Sequence, residues 1–373
     1  MAAAVVTAVA FDMSKKILLS VALALIVVIA ALFFFTSSKP KYTQEDPPIA
    51  VLSRSNEDYA LGKNYFSQRN YDLAKEYYQK ALTSAEDDIQ RGQIQFSVAV
   101  ADEFAGRYVD AVKAFKDIAI DSSSYQFVRA YAAQEIGLIY YGLTGADRDA
   151  VAAETFREPP FSAFKEGDDL NLAYRKVFEY AANIYPLGGA EARIAYWYAD
   201  HIVSDEVERN SGQMLAEIAI VKQSIAKADA DIERTINDPG AMAYIPGTYS
   251  LEARALTKLA SVGAASNADA EALFQKSVNF ADALGRYATD RFRYAEFLAT
   301  VYGEERKGDI QQLLSTYRST NDRLFASTVN LFKGSRQDPA LADDKEALIL
   351  LGQLDPGFKT YLISLGWYEA DFQ

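Results

Sequence analysis

The chain has 373 residues, no cysteine, one histidine and a formal net charge of −13. These counts exclude disulfides, iron–sulfur clusters and cysteine nucleophiles, and they leave no second histidine for a zinc site. They also argue against nucleic-acid binding, because affinity for a phosphate backbone comes from an excess of Lys and Arg. The aromatic content is unusual, with 24 tyrosines and 21 phenylalanines against two tryptophans.

The first element is an apolar stretch, ILLSVALALIVVIAALFFF, without charge, proline or glycine. A helix that crosses a membrane needs about 20 apolar residues, whereas the apolar part of a cleaved signal peptide has about 7 to 15. No small-residue cleavage site follows. We therefore interpret residues 17–36 as an uncleaved transmembrane anchor behind a short tail, residues 1–16, in which Met13 is an alternative start.

The orientation of this anchor is only weakly marked. Lys15 and Lys16 precede the span and Lys39 and Lys41 follow it, so the positive-inside rule barely separates the two orientations. A short basic end before a large acidic domain is typical of a signal anchor. We expect a single-pass membrane protein whose later residues lie outside the cytoplasm, joined to the anchor by a proline-broken polar tether, residues 37–54.

From residue 55 onward the apolar residues recur with helical spacing, and hardly any run alternates with period two, which predicts an all-α domain. The most specific passage is LGKNYFSQRNYDLAKEYYQKAL. Leu61, Gly62 and Tyr65 share one face of a first helix. Four further residues share one face of a second helix: Tyr71, Ala74, Tyr78 and Ala81.

This passage strongly resembles the tetratricopeptide repeat (TPR), a 34-residue helical hairpin with Leu-Gly, Tyr, Ala and aromatic residues at these spacings. The pattern returns 37 residues later in AGRYVDAVKAFKDIA, where Phe115 takes the place of Tyr78. A third copy starts in EIGLIYYGL, and Phe156 begins its second helix before a Pro-Pro pair ends it. The resemblance implies an all-α, TPR-like α-solenoid behind the anchor, with its clearest repeats in residues 55–160.

Residues 161–373 are predicted to continue as degenerate TPR-like helical repeats, with a long helix near 205–236. The apolar residues of that helix keep heptad spacing, which indicates either a core-facing helix or a coiled-coil seam. They are Met214, Ile218, Val221, Ile225, Ala228 and Ile232. At the end of the chain, Trp367 and Phe372 are expected to form a hydrophobic cap, because stacked repeats need atypical ends.

The motifs of catalytic and phosphate-binding sites are missing: there is no GK[ST] loop, no GxSxG elbow and no HExxH. We interpret the lone His201 as structural. The acidic clusters around Asp87 and Asp169 fall at helix starts, where they favour capping, with calcium ligation as the alternative. We therefore expect no enzyme, no catalytic residue, no cofactor and no metal site.

The TPR resemblance implies that the first helices of the hairpins line a concave surface for peptides or partner proteins. The family's groove positions fall on eight candidate partner-binding residues: Tyr59, Lys63, Phe66, Phe96, Val100, Phe104, Gln134 and Tyr141. Ser67, Glu103 and Leu138 complete these positions. Only Lys63 resembles part of the charged clamp that some TPR domains use for a terminal carboxylate, so we expect an aromatic groove instead.

Together these observations predict a non-catalytic, membrane-anchored bacterial scaffold or adaptor. It would bind protein partners through its concave helical surface, in envelope assembly or protein translocation. One alternative is a self-assembling scaffold, a homo-oligomer made through the heptad stripe or the anchor. The other is a cell-wall-acting enzyme that carries a helical superhelix.

Overall fold

A computed structural model of the chain describes the following residues: 56–204, 211–237, 244–283, 288–319, 342–364, 367 and 369–372. The expected tail, transmembrane anchor and tether, residues 1–54, lie outside this part of the chain. The described residues all belong to one compact unit, residues 48–373. They contain helices and no strand, which confirms the all-α prediction. None of the described helices combines the length and apolar character needed to cross a membrane.

The α-helices, numbered in chain order, are α1 (Glu57–Ser67), α2 (Tyr71–Leu82), α3 (Asp88–Phe104), α4 (Tyr108–Ile120), α5 (Gln126–Gly142), α6 (Gly145–Thr155), α7 (Leu170–Ile184), α8 (Ala190–Ser204), α9 (Ser211–Thr235), α10 (Ile245–Ser261), α11 (Asn267–Ala283), α12 (Ala288–Tyr302), α13 (Lys307–Ser319), α14 (Ala342–Leu354) and α15 (Pro356–Ser364). Short 3₁₀ turns occupy Phe161–Phe164, Pro186–Gly188, Gly303–Arg306 and Glu369–Phe372.

Several helices begin where a side chain satisfies their first N–H groups. Asp87 accepts a hydrogen bond of 2.7 Å from the backbone N–H of Gln90 at the start of α3. Asp169 accepts one of 3.0 Å from Leu172 at the start of α7. The first four N–H groups of a helix have no partner inside the helix, so these carboxylates stabilise the helix starts. The capping interpretation of both acidic clusters is confirmed.

The first two hairpins have the same turn, 37 residues apart. Arg69 has a φ of 61° and Gly106 a φ of 77°, both in the left-handed region. In each turn the following residue donates a backbone hydrogen bond of 2.9 Å to the carbonyl five residues earlier. This pairing is typical of a left-handed helix end, in which carbonyls of the last turn are satisfied. The 37-residue offset read from the sequence is therefore present in the backbone.

Most helices pack on the next helix in the chain, and several also pack on the next but one. Contacts between alternate helices join α3 to α5, α4 to α6, α8 to α10, α10 to α12 and α12 to α14. The long helix α9 packs on α8 and α10. Its predicted stripe faces this interior, with Val221 fully buried and Ile232 almost so. The core-facing interpretation of the stripe is therefore the one that the structure supports.

The third hairpin differs from the sequence prediction, which gave its second helix to the segment ending at Phe156. The structure instead packs α5 against α7, where Phe178 meets Gly137. Helix α6 is short and its apolar residues are alanines and one valine, so it offers no large apolar side chain to fill the space over that glycine. Phe156 follows α6 and lies edge-on to Tyr174 of α7 at 5.0 Å. Helix α6 is thus an insertion between the two helices of the hairpin.

The chain ends in a buried aromatic pair. Trp367 and Phe372 are 4% and 6% exposed, and their ring centroids lie 6.1 Å apart. Phe372 packs directly on Gly352 of α14, where a Cβ would collide with the ring. Both rings belong to the apolar core of α10 to α15. This burial is the packing expected of a hydrophobic cap.

Candidate binding surface

Two of the residues predicted to line a groove are buried in the packing between helices. Tyr59 is 3% exposed, and its hydroxyl shares a hydrogen bond of 3.1 Å with Ser97. Gln134 is fully buried; it donates to the carbonyl of Gly188 at 3.2 Å and accepts from Arg193 Nε at 2.7 Å. Neither side chain offers surface to a partner, so both positions hold helices together.

Three predicted residues on α1 and α3 remain at the surface. Lys63 is exposed. The ring of Phe66 lies edge-on to Phe104 at 5.2 Å and to Tyr71 at 5.3 Å, and Phe104 is 40% exposed. These three rings form a small aromatic edge between the first two hairpins. Because each ring also packs on the others, this edge stabilises the hairpins as well as offering apolar surface.

The remaining predicted residues connect helices deeper in the array. Phe96 packs on Phe115 of α4 at 5.3 Å, and Val100 is half-buried beside it. Tyr141 lies parallel to Trp197 of α8, with ring centroids 4.9 Å apart and planes within 4°. Burial raises the pKa of Tyr141 well above its usual value. The structure therefore buries two of the eight predicted residues and leaves the other six partly or fully exposed.

The structure brings together a different group, which we call the four-ring patch: Phe127, Tyr131, Tyr185 and Tyr244. Phe127 lies at its centre, with centroid distances of 4.5 Å to Tyr131, 5.7 Å to Tyr185 and 5.8 Å to Tyr244. All four rings are only half-buried. Two come from α5; Tyr185 immediately precedes the 3₁₀ turn Pro186–Gly188, and Tyr244 immediately precedes α10, which has a proline in its first turn. A continuous aromatic surface results.

Two carboxylates repel each other beside this patch. Glu135 follows Tyr131 by one helical turn on α5, and Glu103 lies at the end of α3. Burial and the charge of Glu135 raise the pKa of Glu103 well above its ordinary value. Burial also raises the pKa of Glu135, while Arg193 opposes this rise. Burial makes a negative charge on these side chains unfavourable. Both side chains keep some contact with solvent, so a cation can reach and neutralise them.

Arg193 is positioned by the buried amide of Gln134. The hydrogen bond from Nε fixes the guanidinium, and Gln134 is itself held by Gly188. A Cβ at Gly188 would lie 2.8 Å from Nε2 of Gln134, so this approach needs a glycine. Gln134 was predicted as a contact for a partner. The structure makes it the residue that orients a charged neighbour of Glu135.

A cleft of about 490 Å³ lies farther along the chain, between α10, α12 and α14. It is lined by Arg254, Thr257, Lys258, Phe274, Arg293, Glu296, Phe297, Thr300, Glu346, Ala347 and Leu350. Arg254 donates from Nη2 to the hydroxyl of Tyr196 at 2.8 Å and lies 4.3 Å from the centroid of that ring. The cleft therefore combines an apolar floor with charged groups at its edges.

The lone histidine stays within the packing of α7, α8 and α9. The side-chain amide of Asn171 lies 2.8 Å from His201 Nε2, and a carboxylate oxygen of Glu217 lies 3.8 Å from the same nitrogen. Within the described ranges, no group of three or more histidines and carboxylates is arranged to hold a metal ion. His201 and its described neighbours, Asn171 and Glu217, belong to neither the four-ring patch nor the cleft.

Sequence reasoning missed the four-ring patch because half of it comes from turns. Tyr185 and Tyr244 stand in YPLGG and YIPGT, where a tyrosine comes just before a proline-glycine break. A tyrosine just before a proline and a glycine was the pattern in the sequence that could have pointed to these residues. Helical periodicity identifies residues that share a face of a helix, so it does not select residues that lie outside the helices.

No protein-family model matches the chain, and no curated protein is significantly similar to it.

Proposed function

We propose that the chain is a non-catalytic, membrane-anchored scaffold of TPR-like helical hairpins that holds a protein partner at the four-ring patch. The observation that carries the proposal is the patch itself, because four partly exposed aromatic rings converge at one place. Tyrosine and phenylalanine are enriched at the centres of protein interfaces, where they bury a large area for little loss of side-chain freedom.

The α-solenoid interpretation is supported by repeated details. The turns at Arg69 and Gly106 have the same backbone conformation. A small residue on a first helix meets an aromatic ring on a second helix in two hairpins. Gly62 does so with Tyr78, and a later glycine repeats it on α7. Contacts between alternate helices are those that a stacked array makes.

The charges around the patch define the partner's chemistry. Glu103 and Glu135 repel each other in a poorly hydrated place, and a Lys or Arg of a partner would remove that cost. The rings of the patch offer apolar contact next to these carboxylates. We infer a partner segment that carries a basic side chain beside apolar ones. Such a segment fits an acidic chain of net charge −13.

The membrane role rests on residues 17–36, whose apolar run is long enough to span a bilayer. In this proposal the anchor and the tether place the helical domain outside the cytoplasm at the membrane surface. Binding there would restrict a partner to the membrane, which suits envelope assembly or protein translocation. The partner-holding function needs no catalytic group.

A photo-crosslinking amino acid at Phe127 in the full-length chain tests the proposal. Irradiation of native membranes should give a defined adduct, and the same amino acid at Tyr77, whose ring stacks on Tyr65 at 5.2 Å, should not. The adduct identifies the partner, which is then purified.

Affinity measurements with that partner complete the test. Phe127→Ala with Tyr131→Ala should weaken binding at least tenfold, as expected when interface anchors are truncated. The matched pair Tyr65→Ala with Tyr77→Ala should leave it unchanged. Equal affinity of all variants, with helicity intact, would refute the proposal.

A further inference from the structure

The cleft between α10, α12 and α14 has a definite order of charges across it. At the α10 edge, Lys258 forms an ion pair with Asp200, which leaves the charge of Arg254. In the middle, Arg293 pairs with Glu296 at 2.9 Å. The cleft is therefore positive on its α10 side, and an ion pair occupies its centre.

The far edge of the cleft is negative. Glu346 of α14 is exposed and makes no ion pair with any described residue. Between the two charged edges the floor is apolar, with Phe297 of α12 and Leu350 of α14. An occupant that matches this order carries an anion, then apolar groups, then a cation. A small anion alone would leave Glu346 and the apolar floor without partners.

Arg254 is prepared to receive the anion. Its guanidinium lies over the ring of Tyr196 and spends one donor on that hydroxyl. Among the described residues it has no carboxylate partner, although a guanidinium has five N–H donors in a planar fork. The fork matches a carboxylate bidentately, and stacking on the ring reduces the loss of side-chain freedom on binding.

The dimensions of the cleft fit a short stretch of extended chain. Packed helices lie about 8 to 10 Å apart, so the distance from α10 across α12 to α14 is roughly 16 to 20 Å. An extended peptide rises about 3.3 Å per residue, and about six residues cover this distance. The volume of about 490 Å³ also lies in the usual range of ligand sites.

We propose that this cleft binds an extended segment of a partner protein, with an internal acidic side chain on Arg254, apolar side chains on Phe297 and Leu350, and a basic side chain on Glu346. This proposal rests on the proposed function in one respect, that the occupant is a protein. It adds a second, polar site, separate from the four-ring patch.

The test uses the full-length chain in mild detergent and six-residue peptides with acetylated and amidated ends. The first peptide has the order acid, leucine, serine, leucine, serine, lysine, and the second has glutamine in place of both the acid and the lysine. Fluorescence anisotropy should show at least tenfold tighter binding of the first peptide. Arg254→Gln should abolish most of this preference, whereas the matched control Arg91→Gln, on the exposed face of α3, should not.

A charge exchange makes the test specific. Arg254→Glu should no longer bind the first peptide. It should bind a variant peptide, with lysine in place of the acid, at least tenfold more tightly than the wild-type chain does. Arg254→Gln serves if Arg254→Glu does not fold. Equal binding of both peptides, no binding of either peptide, or an unchanged affinity of Arg254→Gln for the first peptide would overturn the proposal. None of these outcomes depends on the crosslink at Phe127, so failure here is distinct from failure of the proposed function.

Discussion

Gly137 of α5 lies so close to Phe178 of α7 that a Cβ on the glycine would be 2.5 Å from the tip of the ring. The first hairpin has the same relationship, with Gly62 at 2.5 Å from Tyr78. In both cases the missing side chain lets the tip or edge of an aromatic ring approach the backbone of the neighbouring helix. This contact identifies α7 as the partner of α5, across the inserted α6.

Gly137→Ala should destabilise the fold by about 1 to 3 kcal/mol, because the methyl group overlaps the ring in a packed core. Gly92→Ala is the matched control: Gly92 is also buried in a helix, but its nearest neighbours are 3.8 Å from a built Cβ. There alanine should be neutral or stabilise by up to about 1 kcal/mol, since it favours helix. Urea denaturation of both variants checks the difference, and equal effects would refute the assigned contact.

Gly106→Ala should cost about 1 kcal/mol through the backbone alone. A Cβ there would meet nothing within 4 Å, but φ is 77°, which is unfavourable for residues other than glycine. Gly308→Ala is the control, because Gly308 has equally open surroundings at a helical position of α13. Thermal unfolding should show a lower Tm for Gly106→Ala only. A loss at both positions would mean that the cost is not conformational.

Glu252→Gln should stabilise the fold at neutral pH and have little effect near pH 4. Glu252 is fully buried and faces Asp229, to which it can hydrogen-bond only while one of the two carboxyl groups carries a proton, so neither oxygen of the ionised Glu252 has a donor among the described residues. Burial and the charge of Asp229 raise its pKa well above the ordinary value, although Lys276 opposes this. A raised carboxyl pKa in the folded state gives stability that is present below the unfolded pKa and lost as pH rises.

The expected gain at pH 7 to 8 is about 1 to 3 kcal/mol, the cost of a buried carboxylate that lacks hydrogen bonds. The measurement is the difference in free energy of unfolding between variant and wild type from pH 4 to pH 8. Glu305→Gln, at an exposed position, should show no such trend. A difference that does not change with pH would contradict the assignment.

Glu154→Gln should destabilise more than Lys116→Met. Lys116 is 7% exposed and donates to both the carbonyl and the carboxylate of Glu154, at 2.6 Å and 3.3 Å. Removal of the carboxylate leaves a buried ammonium without an anion, which costs about 3 to 5 kcal/mol. Removal of the lysine costs less, because Arg157 still pairs with Glu154 at 2.9 Å. Urea denaturation of both variants and of the double variant checks the order; the reverse order would contradict it.

The sequence by itself determined the helical class and the first two hairpins. Helical spacing, capping residues and the small-aromatic pattern around Gly62 and Tyr78 are local signals, and local hydrogen bonding decides them. The repeat offset was also readable, because the same turn conformation recurs at Arg69 and Gly106. These features depend on residues that are close together in the chain.

The tertiary structure alone decided the partner of α5, the four-ring patch and the cleft. Pairing with α7 depends on which distant ring fills the space over Gly137. The sequence offers two candidate segments for this, the one that ends at Phe156 and the one that contains Phe178. Tyr185 and Tyr244 meet Phe127 only because their turns pack on α5. Burial, which sets the energies of these contacts and charges, is a property of the packed helices and not of any single segment.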